Sequence, residues 1–133
     1  MLNRGKTLIA LLLLAIGAAV ALGCSPPPSL GVRLIPGREV SQKVWGKRVD
    51  FTYEGKAGEV ITLRVISKTP GLDPQVRLLD PDGREEASDD DSGGNGNPLI
   101  AGHALKRSGQ YTVVIGSAGG RSGELSILLG RSP

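Results

Sequence analysis

From Glu39 onward the chain alternates apolar and polar positions with a period of two. Val49, Phe51 and Tyr53 alternate with Asp50, Thr52 and Glu54, and Ile61, Leu63 and Val65 with Thr62 and Arg64. Tyr111, Val113 and Ile115 repeat the pattern, as do Leu125, Ile127 and Leu129. Side chains two apart share one face of a strand, so each run buries one face and wets the other. Turn-forming residues separate the runs: Trp45-Gly46-Lys47, Glu54-Gly55-Lys56, Thr69-Pro70-Gly71, Asp80-Pro81-Asp82-Gly83, Ser108-Gly109 and Gly119-Gly120. The pattern predicts strands over 39–45, 48–54, 59–68, 75–80, 84–88, 98–106, 110–117 and 123–130, with no long helix after the first segment. Short strands at this spacing predict an all-β fold, an antiparallel β-sandwich.

The first thirty residues follow another rule. Arg4 and Lys6 precede an unbroken apolar run from Leu8 to Leu22, and Gly23-Cys24 closes it. A basic head, a short apolar centre and a small residue at the cut make a secretory signal, and the run is shorter than the ~20 apolar residues of a spanning helix. Val20-Ala21-Leu22-Gly23-Cys24 resembles the bacterial lipobox, whose cysteine takes a diacylglycerol and becomes the mature N-terminus. Cys24 is the sole cysteine, so no thiol is left for a disulfide and the core must hold by packing alone. Pro26-Pro27-Pro28, with Ser25, Ser29 and Gly31, favours an extended, semi-rigid tether. The expected organisation is a signal peptide over 1–23, lipidated Cys24 and a proline-rich tether over 24–36, and the sandwich over 37–133.

Cleavage before Cys24 leaves 110 of the 133 residues, enough for one core. Removing Arg4 and Lys6 from the 16 basic residues leaves 14 against 13 acidic ones, a net of +1. The basicity is partly a targeting feature, and nothing in it suggests nucleic-acid binding.

The order of motifs from about Pro36 to Gly130 resembles the bacterial pre-peptidase C-terminal (PPC) domain. Val49-Asp50-Phe51-Thr52-Tyr53 is followed by Ala57-Gly58-Glu59-Val60-Ile61-Thr62-Leu63, then by Asp73-Pro74-Gln75-Val76-Arg77-Leu78-Leu79-Asp80-Pro81-Asp82-Gly83. The acidic Ser88-Asp89-Asp90-Asp91 comes next, then Ser108-Gly109-Gln110-Tyr111-Thr112 and Ser122-Gly123-Glu124-Leu125-Ser126. Glu124-Leu125 stands where the family commonly has an aromatic. The resemblance implies a jelly-roll-like β-sandwich that binds, stabilises or helps export secreted enzymes, with some relatives taking calcium or extracellular polymers.

Asp89, Asp90 and Asp91, with Asn95 in the glycine-rich stretch after them and Asp73 at a neighbouring turn, form the candidate metal site. Three adjacent carboxylates repel one another unless solvated or neutralised. A pliable loop can wrap the six to eight oxygens of calcium, yet the spacing is not that of a dedicated calcium loop. His103 is the single histidine, expected at a solvent-facing strand position; it is too few for zinc. Ser92, Ser108 and Ser117 lack a Gly-x-Ser-x-Gly elbow, so catalytic residues are not expected. Trp45, at a predicted strand end, is either an exposed ligand platform or a partly buried core residue. The sequence points to a non-catalytic, lipid-anchored binding or accessory domain outside the cytoplasm. In a diderm cell it would sit on the outer membrane, otherwise on the outer face of the cell membrane. Its expected partners are that membrane and an envelope protein or extracellular polymer. The alternative is a small secreted carbohydrate-binding module or exoenzyme on the same fold.

Overall fold

The alternating runs form strands in the computed structural model of the protein, which describes residues 31–46 and 48–133. Cys24 and the signal-like segment lie outside the described residues. The strands are β1 (Val32–Arg33), β2 (Glu39–Val44), β3 (Arg48–Gly55), β4 (Val60–Ser67), β5 (Pro74–Leu79), β6 (Glu85–Asp89), β7 (Leu99–Ala104), β8 (Gly109–Ser117) and β9 (Gly123–Ser132). One sheet has the order β1-β3-β8-β5-β6 and the other β2-β9-β4-β7. The pairs are antiparallel except that β1 runs parallel to β3, with Val32 level with Phe51 and Arg33 with Thr52.

The two sheets face each other across the residues that the period of two selects. Phe51 and Tyr53 of β3, Val76 and Leu78 of β5, and Tyr111, Val113 and Ile115 of β8 are buried against Ile61, Leu63 and Val65 of β4 and Leu125, Ile127 and Leu129 of β9. Leu125 is fully buried, so an aliphatic side chain fills the place where the PPC pattern commonly carries an aromatic. Each fully buried Val, Leu or Ile contributes ~1.5–3 kcal/mol by leaving water. Gly55 sits under this layer, where an added Cβ would overlap the Leu105 side chain and press on Tyr111.

The predicted strands match the observed ones to within a residue or two, and one strand was not predicted. β1 lies within the segment 24–36 that the sequence assigns to the tether, and Leu34 just after it is buried, its N–H bonded to Thr52 O at 2.8 Å. A two-residue strand has no period to read, so pairing along β3 fixes it, not pattern.

Antiparallel pairing sends alternate connections to opposite ends of the sandwich. The β2–β3, β4–β5, β6–β7 and β8–β9 connections share one end, the Trp45 end. The β3–β4, β5–β6 and β7–β8 connections share the other. Across the sandwich, β1, β2 and β3 lie at one lateral edge and β6 and β7 at the other.

Phe51→Ala, which empties a buried ring site, is expected to cost ~3–5 kcal/mol. Urea unfolding of the domain checks this as a lowered midpoint with an unchanged slope.

Candidate functional site

The acidic loop belongs to the Trp45 end. β6 ends at Asp89, which pairs with Val76 across β5, and the chain turns through 90–98 before β7. The Asp89 carboxylate closes this loop from within. Its Oδ2 accepts N–H bonds from Ser92 (2.9 Å) and Leu99 (2.8 Å), and its Oδ1 accepts the Ser92 hydroxyl at 2.5 Å. Burial works against ionisation, but these donors outweigh it and hold the Asp89 carboxyl below the usual carboxylate range. Asp90 and Asp91 point to solvent. Asn95 is exposed and occupies a left-handed backbone position (φ 57°), a turn role that asparagine tolerates. The Asp73 side chain is exposed, and its carbonyl oxygen accepts Ala118 N–H at 2.9 Å.

Among the described residues no three of His, Cys, Asp and Glu converge on a common point. The one carboxylate with both oxygens ordered spends them on the loop's own donors, and Asp73 lies on another connection. Asp89 ties the start of the loop to its end.

A second cluster, at the opposite end, was not read from the sequence. Glu86 on β6 is 4% exposed and His103 on β7 is 19% exposed, with His103 Nε2 2.9 Å from Glu86 Oε2. The Tyr111 hydroxyl is 3.0 Å from Glu86 Oε1 and 2.9 Å from Arg107 O, and it accepts Arg107 N–H at 3.1 Å. Lys106 N–H reaches Glu86 Oε1 at 3.2 Å. The bond from Tyr111 back to the backbone four residues upstream repeats the tyrosine corner of β-sandwiches. His103 is thus a partner of a buried carboxylate and not the solvent-facing residue expected. Its assignment needed Glu86, seventeen positions away, and no local signal links the two. Burial is the main cause that pushes the Tyr111 phenol above its ordinary pKa, with Glu86 adding to it. At the same end Tyr53 donates to Glu59, and burial first and then that carboxylate push its phenol up to about 12. Asp80 caps the β5–β6 turn through Asp82 N–H (2.8 Å) and Arg84 N–H (2.9 Å). The serines weighed as nucleophiles have structural partners where the structure gives them any: Ser92 bonds Asp89, and Ser108 Oγ accepts Ala57 N–H at 2.9 Å.

Trp45 resolves the remaining alternative. It is 70% exposed, outside the core, with Lys43 Nζ 4.4 Å from the ring centroid. The other rings, Phe51, Tyr53 and Tyr111, are buried. The turn that carries Trp45 is fixed: Gly46 takes a left-handed conformation (φ 79°), and its N–H bonds Ser122 Oγ at 3.0 Å. Neighbouring connections tie to one another through Ser67 N–H to Asn97 Oδ1 (2.8 Å) and Glu124 N–H to Thr69 Oγ1 (2.8 Å).

No protein-family model matches the sequence, and no curated protein matches it. Solved structures share the fold. The PPC domain of a Bacillus anthracis collagenase superposes with a TM-score of 0.64 at 13% identity, over 78% of this chain and 98% of that one. An Aeromonas hydrophila periplasmic inhibitor of g-type lysozyme gives 0.59 at 15% identity, over 77% and 96%. CorA of Methylomicrobium album BG8, a surface-associated copper-binding protein, gives 0.58 at 10% identity, over 77% and 98%. The chain has the β-sandwich of the PPC domain, as the motif order implied.

Three outcomes follow from this geometry. Tyr111→Phe leaves the Arg107 N–H without its acceptor and is expected to cost ~1–3 kcal/mol in chemical denaturation. The depressed carboxyl of Asp89 contributes stability that is present above its unfolded pKa of about 3.9 and lost as pH falls through its lower folded value. Asp89→Asn should accordingly lose less stability than wild type between neutral pH and pH ~3. Millimolar calcium against chelator should leave the melting temperature unchanged, and a rise with calcium would place a cation in the loop.

Proposed function

We propose that this protein is a non-catalytic binding domain of the cell envelope, held outside the cytoplasm by a diacylglycerol on Cys24. The observation that carries the non-catalytic part is the employment of its acid–base groups. His103 is bonded to Glu86 within the Tyr111 corner, Asp89 closes a loop and Asp80 caps a turn. Each of these is engaged in holding backbone or a neighbouring side chain. A catalytic base must instead stand within reach of a substrate proton. The fold is compatible with binding: among the solved structures that share it, one inhibits a lysozyme and one binds copper. The signal-like run and Gly23-Cys24 support the anchor and the extracytoplasmic location. The partners proposed are the membrane and a further envelope protein or extracellular polymer.

A carbohydrate-binding reading would rest on Trp45 alone, because the remaining aromatic rings of the domain are inside it. A single ring is a narrow platform for a sugar chain, and this reading ranks second.

The anchor is tested with Cys24→Ser. Wild-type protein is expected in the detergent phase, with a mass increased by its acyl chains. The variant is expected to stay in unprocessed or aqueous form. Identical partitioning and identical mass shift for the two proteins would refute the lipid.

A further inference from the structure

We propose that the Trp45 end of the sandwich rests on the same membrane that holds the lipid, with the Trp45 indole among the headgroups and nearby lysine and arginine side chains against lipid phosphates. The proposal rests on the lipid-anchor reading and adds an orientation and a contact to it.

The direction comes from β1. This strand runs parallel to β3, so its first residue lies nearest the Arg48 end of β3, which is the Trp45 end of the sandwich. Gly31 already packs on that stretch of β3: a Cβ added to it would lie 2.5 Å from Asp50 O. The folded domain is therefore entered from the Trp45 end. Cys24 lies seven positions before Gly31, and seven residues span at most ~25 Å. Laying the opposite end on the bilayer would send those residues back along β3, ~17 Å from Asp50 to Gly55, before they cleared the connections beyond. With the Trp45 end down, the same length is ample.

The chemistry at this end suits a bilayer surface. An exposed indole has an apolar body and a polar N–H, the combination that places tryptophan at membrane interfaces. Lys43 sits over the ring, and Arg48 follows at the start of β3, its side chain 54% exposed beside Asp50. Arg121 is exposed on the β8–β9 connection at the same end, its guanidinium 3.4 Å from Gly71 O on the β4–β5 connection. Cations at this distance are drawn to anionic lipids. The acidic Asp90 and Asp91 belong to the same end but to the β6–β7 edge, across the sandwich from β1, β2 and β3. Exposed Glu124 lies opposite Lys43 in the β2–β9 pair and Asp73 is exposed at the same end, so the cations beside Trp45 have acidic neighbours, with the densest acidic run at the far edge. A negatively charged surface would tilt the domain toward the tether edge.

Trp45 is the only tryptophan, so its fluorescence reports on this contact alone. The full-length lipidated protein is reconstituted into phosphatidylethanolamine–phosphatidylglycerol vesicles whose acyl chains carry bromine. A reporter at the opposite end, Arg84→Trp in a Trp45→Phe background, serves as comparison. Trp45 emission is expected to shift to the blue and to be quenched severalfold more than the reporter. Lys43→Glu with Arg121→Glu should reduce that quenching while the protein still floats with the vesicles. Flotation with Trp45 no more quenched than the reporter overturns the docking and leaves the anchor standing. Failure to float at all overturns the anchor, and the docking with it.

Discussion

The whole domain depends on one apolar layer between two sheets. The sole cysteine stands ahead of it at position 24, so no cross-link restrains the unfolded chain. Stability must come from burying Val, Leu and Ile side chains at high density. Strand β8 is central to that layer. It pairs with β3 on one side and β5 on the other, and Tyr111, Val113 and Ile115 are fully buried along it. The same strand carries the hydroxyl that fixes the β7–β8 connection. Packing and polar satisfaction thus meet on Tyr111: its ring fills the core, and its oxygen bonds Arg107 and Glu86.

The charged residues are arranged around this layer by cost. Glu86 and Glu59 are nearly out of water and have tyrosine partners, as buried carboxylates require. Arg48–Asp50 and Arg77–Glu85 lie in the open on the outer face of the five-stranded sheet and contribute little. What is left exposed and large is Trp45, with Val32, Ile35, Ile66 and Leu128. An exposed leucine on a strand is common. A tryptophan 70% exposed on a turn whose backbone is locked is harder to attribute to folding.

The strands were legible because period-two burial is a local signal. Asp80 was legible as a turn cap for the same reason: its partners, Asp82 and Arg84, are two and four residues away. The acidic run was legible as a loop, but not as one whose ends Asp89 ties together. Charge repulsion is written in the sequence, whereas the Leu99 N–H that relieves it arrives from ten residues on. His103 was misplaced because strand parity cannot reveal a partner on another strand. Trp45 could have faced either way, since it lies just past the end of β2, where a turn need not keep the strand's alternation. The register of β2 against β9 settles it: Val44 opposite Gly123 is buried, so Trp45 beyond it turns outward.

The two ends of the sandwich differ in how they treat polar groups, and that difference bears on function. The end with Tyr53 and Tyr111 uses carboxylates and phenols to close the core, which makes it costly to disturb. The Trp45 end is closed by acceptors on Ser122, Thr69, Asn97 and Asp89 that take backbone N–H groups, and this leaves the Trp45 side chain itself exposed. Under the proposed lipid on Cys24, what that side chain meets is first of all the surface to which the domain would be tied. Seven residues between such an anchor and Gly31 would confine the domain to a shell a few nanometres deep, where the local concentration of lipid is set by geometry, not by abundance. A contact too weak to hold a free protein is then sufficient to orient an anchored one. The same confinement would leave the opposite end turned away from the bilayer, open to the envelope partner proposed above.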